Sequence, residues 1–148
     1  MNKEKNEFYM QKALQLAMKA YEIGEVPIGA VVVKKSTGEV VGEGYNRREI
    51  DKSSTAHAEM IAITAATEAL GGKYLNDCTL YVTVEPCPMC AGALAWSQIG
   101  EVVYGASDPK RGFSQFTPSL MHPKTKVVSG ILADECGNIV TEFFKNKR

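Results

Sequence analysis

The apolar residues in the first part of the chain follow two different spacings. Over residues 7–21 they recur every three or four positions, which predicts an amphipathic helix that ends at Gly24. Residues 26–33 and 40–45 are instead rich in valine, and the Ser-Thr-Gly-Glu segment between them is typical of a hairpin turn. We therefore expect one helix followed by two antiparallel strands.

The middle of the chain alternates helical and extended patterns. Residues 55–70 are rich in alanine and isoleucine and stop at two glycines, which predicts a second helix. The residues available to cap its start are Ser53, Ser54 and Thr55. Residues 79–84 predict a strand, and a turn containing two prolines leads from it into a third helix over residues 89–97.

The last part of the chain predicts two more strands and a final helix. Residues 102–106 and 127–129 have extended patterns on either side of an irregular segment. The final helix has one apolar face, formed by Leu132, Cys136, Ile139 and Phe143. Strands that alternate with helices predict an α/β protein. We expect one domain over residues 1–148, with three α/β/α layers around a central mixed five-stranded sheet.

Composition and charge exclude several classes of protein. Apolar residues make up 45% and charged residues 23% of the 148 residues, as in ordinary globular domains. Basic and acidic residues balance at 17 each, so nucleic acid would have to bind at a local basic patch. We see neither a secretory signal nor an apolar membrane span, so we expect a cytoplasmic protein. The four cysteines then point to metal binding or redox chemistry rather than to disulfides.

Two short motifs, each at the start of a predicted helix, carry candidate metal ligands. The first is Thr-Ala-His-Ala-Glu, which contains His57 and Glu59, and the second is Pro-Cys-Pro-Met-Cys, which contains Cys87 and Cys90. A catalytic zinc site has three protein ligands, and its fourth position stays open for water. Because a helix N-terminus favours thiolates, we predict that His57, Cys87 and Cys90 hold one zinc ion per chain.

Glu59 follows His57 by two residues, so on a helix it projects in a different direction and need not be a ligand. A carboxylate there is suited to take a proton from water and to deliver protons to a ring nitrogen and a leaving amine. The order His-x-Glu followed by Pro-Cys-x-x-Cys is the known signature of zinc nucleobase deaminases. We therefore predict that Glu59 is the catalytic acid and base.

The same residues leave two alternatives open. A Cys-x-x-Cys pair alone is also found in thiol redox proteins, although the matched His-x-Glu argues against that class. The second alternative is a binding module in which zinc has only a structural role, because a fourth protein ligand closes its site. The candidates for that fourth ligand are Cys78, Cys136 and His122.

Further segments resemble the cytidine deaminase superfamily and, within it, the bacterial tRNA-specific adenosine deaminases. They are Val-Pro-Ile-Gly-Ala from residue 26, Gly-Glu-Gly-Tyr-Asn from residue 42, Leu-Tyr-Val-Thr-Val-Glu from residue 80, Gly-Ala-Ser-Asp from residue 105 and Ile-Leu-Ala-Asp-Glu-Cys from residue 131. The resemblance covers nearly the whole chain. It implies a cytidine deaminase-like fold, a homodimer, and conversion of wobble adenosine to inosine in a tRNA anticodon loop.

The resemblance also implies three substrate contacts. Asn46 is expected to contact the nucleoside, the backbone N–H of Ala58 to orient the base, and Asp108 to lie beside the flanking nucleotide. The candidate RNA-binding side chains are Lys110, Arg111, Lys124, Lys126 and the basic C-terminal residues Lys145, Lys147 and Arg148, with Phe113 or Phe116 as a stacking face.

These residues also have interpretations that involve no function. Surface lysines are usually solvated, and phenylalanines in loops often pack into a core or a dimer interface, as we also expect of Trp96. Residues 111–120 depart from the pattern of the tRNA-specific enzymes. The alternative substrate is therefore a small one, namely free guanine, cytosine or a nucleoside.

Overall fold

The structure is a computed structural model that describes residues 2–116 and 118–146. Its helices are α1 (Asn2–Glu22), α2 (Ala58–Leu70), α3 (Pro88–Trp96) and α4 (Ala133–Asn146). Its strands are β1 (Gly29–Lys34), β2 (Val40–Tyr45), β3 (Cys78–Val84), β4 (Glu101–Ala106) and β5 (Lys126–Val128). A short 3-10 turn occupies Phe113–Gln115. Lys147 and Arg148 lie outside the described residues.

The five strands form one mixed sheet, as the sequence predicts, and their order in it is β2-β1-β3-β4-β5. Strand β1 is antiparallel to both β2 and β3, whereas β3, β4 and β5 are parallel. The β3–β4 pair is parallel because α3 carries the chain back across the sheet between them.

Helices cover both faces of the sheet, which confirms the three-layer α/β/α architecture. On one face, alanines of α2 and Leu94 of α3 pack against Leu80 and Val82. On the other face, α1 and α4 pack against Tyr81 and Val103. Because both faces of the central strands are buried, their sequences are continuously apolar rather than alternating.

Two glycines of β2 bring α2 close to the sheet. A Cβ atom at Gly42 would lie 2.4 Å from the Ala62 carbonyl oxygen, and one at Gly44 would lie 2.4 Å from the Ala58 carbonyl oxygen. Only glycine permits this approach. The two residues therefore fix where the N-terminal end of α2, with its predicted ligand, meets the sheet.

The structure corrects two local predictions. Helix α2 begins at Ala58 with His57 as its N-cap residue and no side-chain cap, so none of Ser53, Ser54 and Thr55 caps it. These residues form a turn instead, in which the Ala56 N–H donates to the Ser53 carbonyl and the His57 N–H to the Thr55 carbonyl. Trp96 is 85% exposed in the chain, which excludes the core position expected as one of its two alternatives.

Within residues 2–116 and 118–146, no helix is both long enough and apolar enough to cross a bilayer.

Candidate active site

The two helix starts that carry the predicted ligands converge. His57 is the N-cap residue of α2, Cys87 is the N-cap residue of α3, and Cys90 lies in the first turn of α3. His57 Nδ1 is 3.7 Å from Cys87 Sγ and 3.5 Å from Cys90 Sγ. The three donor atoms all lie within 4.8 Å of one another. We call these three residues the metal group.

The spacing of the metal group fits zinc. With Zn–S bonds of about 2.3 Å and Zn–N bonds of about 2.0–2.1 Å, tetrahedral angles place nitrogen and sulfur donors about 3.6 Å apart. The two nitrogen–sulfur distances lie on either side of that value. In the described part of the chain, no fourth His, Cys, Asp or Glu joins the group. Cys78, Cys136 and His122 therefore give no support to a closed structural site.

The ionisation of the two cysteines also favours the binding of a metal cation. A hydrogen bond from Cys90, with a smaller contribution from His57, lowers the pKa of Cys87 to about 4. The pKa of Cys90 is raised, because its thiol shares a proton with Cys87 and is buried. The pKa of His57 is raised, chiefly by its hydrogen bond with Cys87. The lowered pKa favours the thiolate of Cys87, which is the form that binds metal, and zinc held by these residues would displace the remaining proton.

Glu59 lies beside the metal group in the first turn of α2. Its side chain is buried, with 4% of its surface exposed, and it lines the same cleft as His57 and Cys87. Burial raises the pKa of Glu59 to about 7. A carboxyl group with a pKa near neutrality is suited to take up and release a proton during turnover. Glu59 is not a member of the metal group itself.

Asn46 connects β2 to the start of α2. Its Oδ1 accepts the backbone N–H of Ala58 at 2.8 Å, and the residue is buried at one wall of the cleft. This bond satisfies an N–H group in the first turn of the helix that would otherwise lack a partner. The Ala58 N–H already has a partner in Asn46. The predicted contacts of Ala58 with a base and of Asn46 with the nucleoside stay predictions.

The cleft has a volume of about 720 Å³. That size lies within the range of about 300–1,000 Å³ that is usual for small-molecule sites. Val84 and Ala106, the last residues of β3 and β4, lie in its walls, so the cleft opens at the carboxyl ends of the parallel strands. This edge is where open α/β sheets usually bind ligands.

Three of the predicted RNA-facing residues line the cleft, namely Asp108, Lys110 and Arg111. Asp108 Oδ1 accepts the backbone N–H groups of Lys110 and Arg111, each at 3.1 Å. These bonds form a tight turn that presents both basic residues at the mouth of the cleft, where they are exposed.

Lys124 and Lys126, also predicted to bind RNA, do not line the cleft, and their contact with RNA stays a prediction. Lys126 begins β5 and its Nζ lies 3.8 Å from Oε2 of Glu101, the first residue of β4. The cleft is at the other end of β4, about 16 Å away at a rise of about 3.3 Å per residue. The chain returns to the far end of the sheet after the 3-10 turn, because β5 runs parallel to β4.

The predicted stacking residues are also corrected. Phe113 is 5% exposed and packs edge-on against Tyr104, with ring centroids 6.2 Å apart, so it belongs to the core. Phe116 is exposed, but it does not line the cleft. The aromatic ring at the cleft is instead that of Phe144 on α4, which is 50% exposed.

Sequence reasoning missed Phe144 and Arg48, both of which line the cleft. One signal for Phe144 was present. Phe143 and Phe144 are adjacent on a helix, so both cannot face the core, and only Phe143 is buried. Arg48 follows Asn46 by two residues and carried no signal of its own. We call the five exposed or partly exposed side chains at the mouth of the cleft the rim residues; they are Arg48, Asp108, Lys110, Arg111 and Phe144.

The cleft at the strand ends contains three metal donors, with no fourth in the described chain, and a buried carboxyl group beside them. This arrangement defines a catalytic metal centre for hydrolytic chemistry. Comparison with known families gives the class a name. Residues 3–106 match the family described as "Cytidine and deoxycytidylate deaminase zinc-binding region". The chain belongs to this family of zinc-dependent deaminases, and its cofactor is zinc.

Curated relatives carry a more specific name. The chain is 47% identical to the tRNA-specific adenosine deaminase of Bacillus subtilis, over 97% of this chain and 91% of that protein. It is 42% identical to the protein of the same name from Haemophilus influenzae, over 98% of this chain and 86% of that one.

Solved structures show the same fold. One, from studies of A-to-I editing by tRNA:A34 deaminases at the wobble position of transfer RNA, has a TM-score of 0.82 and 40% identity, over 89% of this chain and 98% of that chain. Another, the guanine deaminase of Nitrosomonas europaea, has a TM-score of 0.79 and 25% identity, over 93% of this chain and 83% of that chain. The fold is therefore shared by relatives that act on tRNA and by relatives that act on a free base.

Proposed function

We propose that this protein is a zinc-dependent deaminase that converts adenosine to inosine at the wobble position of a tRNA anticodon loop. The metal group carries the proposal, because its three donors lack a fourth protein partner in the described chain and lie beside the buried Glu59. Identities of 41–47% to the named tRNA-specific adenosine deaminases favour this substrate over a free base.

In this proposal His57, Cys87 and Cys90 hold the zinc ion. When bound there, zinc supplies Lewis acidity, which makes water a nucleophile at neutral pH. Glu59 takes a proton from the attacking water and gives protons to the ring nitrogen and the leaving amino group. Across the reaction a C–O bond forms at C6 of adenine, the C6–N bond breaks and ammonia leaves.

The rim residues support an RNA substrate. Arg48, Lys110 and Arg111 all line the cleft, so they offer three cations to the phosphates that flank an inserted nucleotide. Phe144 adds a half-exposed ring on which a neighbouring base could stack. A free base has no phosphates, so it would gain nothing from these cations. An anticodon loop suits the cleft because its bases are already outside a duplex.

The test is a direct comparison of substrates. The enzyme is given an anticodon stem-loop with adenosine at the wobble position, and in separate reactions guanine, cytosine, cytidine and free adenosine. We expect inosine in the stem-loop, detected by mass spectrometry, and little product from the small molecules. The matched control is the same stem-loop with adenosine moved to the neighbouring loop position. Conversion of a free base or nucleoside alone would contradict the tRNA substrate and would leave the deaminase chemistry intact.

We also propose that the protein is a cytoplasmic homodimer whose interface includes the outer face of α3. A tRNA substrate favours the cytoplasm, where tRNA functions. Trp96 is 85% exposed and Met89, on the same helix, is 37% exposed. The two residues are seven positions apart, so they lie on the same face of the helix, about two turns from each other. Large exposed apolar side chains on one face favour a protein–protein interface, and tryptophan is enriched there.

Light scattering at micromolar concentration tests the dimer. We expect twice the chain mass for the unsubstituted protein and a shift toward the monomer for Trp96→Glu. Phe8→Glu is the matched control, because Phe8 is another exposed aromatic residue, on α1, with 58% of its surface exposed. A monomeric parent protein, or equal effects of both substitutions, would rule out this interface.

A further inference from the structure

One buried carboxylate near the cleft has no part in the chemistry described above. Glu85 follows β3 directly and precedes Cys87 by two residues. It is 4% exposed, yet it reaches one wall of the cleft. Among the described residues it forms no ion pair, since the two recorded pairs are Arg47–Asp51 and Lys126–Glu101. A buried polar side chain needs hydrogen-bond partners in place of the water that it loses.

Those partners are backbone N–H groups of the segment after β4. Oε1 of Glu85 accepts the N–H of Asp108 at 3.0 Å, and Oε2 accepts the N–H of Ser114 at 2.9 Å. The two donors lie six residues apart, so one side chain fixes both ends of the segment between them.

Gly112 shows how closely this segment covers the carboxylate. A Cβ atom at position 112 would lie 2.2 Å from the Glu85 carboxyl carbon and 2.3 Å and 2.5 Å from its two oxygens. No side chain fits between the backbone and Glu85. The segment therefore lies directly on the carboxylate, and a side chain at position 112 would have to displace Glu85 from its present position.

Two backbone bonds complete the connection. The Glu85 N–H donates to the Ala106 carbonyl at 2.9 Å, and the Phe113 N–H donates to the Pro86 carbonyl at 3.0 Å. With the two side-chain bonds, four hydrogen bonds join the turn that leads to Cys87 to residues 106–114. We call residues 107–114 the basic loop, because it presents Lys110 and Arg111 at the cleft.

We propose that Glu85 is a positioning residue that holds the basic loop against the turn leading to Cys87, so that Asp108, Lys110 and Arg111 meet the nucleotides flanking the reacting base. Glu85 acts through the loop and does not need to touch the substrate. The inference rests on the proposed function for its effect on RNA, whereas the position of the loop can be measured without any substrate.

The test variant is Glu85→Gln, which keeps the shape of the side chain. One acceptor oxygen becomes an NH₂ group that faces a backbone N–H, so one of the two loop contacts becomes unfavourable. In zinc-loaded protein, we expect amide hydrogen exchange over residues 107–116 to become about tenfold faster, as loss of one such bond implies. Zinc content should stay unchanged. KM for the stem-loop should rise about tenfold while kcat changes by less than about threefold.

Tyr81→Phe is the control for a general loss of stability. It removes a buried hydrogen bond of 3.3 Å between the Tyr81 hydroxyl and Asn6 on the opposite face of the sheet. This variant should leave both the loop exchange and KM unchanged. If Glu85→Gln leaves exchange over residues 107–116 unchanged, or if Tyr81→Phe reproduces its effects, the positioning role is wrong.

A second measurement uses the contact with Gly112. Gly112→Ala should speed loop exchange strongly in the parent protein, because the new methyl group meets the Glu85 carboxylate. In a Glu85→Ala background that obstacle is gone, so the same substitution should add little. Additive effects would overturn the proposed contact. If the parent enzyme fails to act on the stem-loop, the proposed function fails, while the exchange measurements still decide the role of Glu85.

Discussion

The metal group and the rim residues occupy one cleft and are built in different ways. The metal group sits at two helix starts that pack against the sheet, and its neighbour Glu59 is buried. The rim residues come from the segment after β2, the basic loop and α4, and most of them are exposed. In the proposed function this contrast separates two tasks: the buried groups would perform the chemistry, and the exposed groups would select the molecule that undergoes it.

Removing a metal donor should have the largest effect. We expect Cys90→Ala to lose zinc and to lower turnover by on the order of 10⁴-fold or more on every substrate, since two donors do not hold the ion in place. Metal analysis and initial rates measure both effects. Cys136→Ala is the matched control, because Cys136 is equally buried but belongs to α4, where it packs against the other face of the sheet, outside the metal group. An active, zinc-loaded Cys90→Ala protein would show that the metal group is misassigned.

Replacing Glu59 should show that metal binding and proton transfer depend on different residues. Glu59→Gln should keep about one zinc per chain. We expect kcat to fall by on the order of 10²–10⁴-fold, the usual contribution of general acid–base catalysis. KM should change little, because the amide has the same shape as the carboxyl group. Turnover near the parent rate would mean that another group moves the protons.

Removing the rim cations should affect RNA and spare small molecules. For the double variant Lys110→Ala/Arg111→Ala, we expect stem-loop affinity to fall about tenfold and the slope of log K against log salt to decrease by about 0.7 per lost phosphate contact. Fluorescence anisotropy over a salt series measures both. Zinc content should be that of the parent. An unchanged salt slope would show that these residues do not contact phosphate.

The smallest effect is expected for the basic residues at the far end of the sheet. Lys124→Ala/Lys126→Ala removes the same charge as the rim double variant, at the end of β4 away from the cleft. Stem-loop affinity should change by less than about twofold if RNA binds only at the rim of the cleft. A loss equal to that of the rim variant would mean that the RNA path extends over the β5 edge.

Each half of the metal group could be predicted from the sequence because the spacing within each half is local. Cys87 and Cys90 lie in one helical turn, and a helix start determines where His57 and Glu59 point. The strands of the sheet could be predicted equally well, since most of them are apolar runs that are separated by distinct turns. Convergence of the two helix starts followed from a known signature and not from spacing alone.

The rim could not be predicted in the same way. Lys110 and Lys126 look alike in sequence, and only the path of the chain after β4 places one at the cleft and the other at the far end of the sheet. Phe113, predicted as a stacking face, is buried, and Phe144, for which nothing was predicted, lies at the cleft, because burial of an aromatic side chain depends on packing that no local pattern encodes. The role of Glu85 depends on backbone contacts 23 and 29 residues away.

X-ray absorption at the zinc edge tests the central claim most directly. We expect two sulfur donors at about 2.3 Å and two nitrogen or oxygen donors at about 2.0–2.1 Å, one from His57 and one that the chain does not supply. Glu59→Gln should give the same spectrum. Three or four sulfur donors, or a histidine in the remaining position, would show a site closed by protein ligands and would contradict the catalytic role of the metal group.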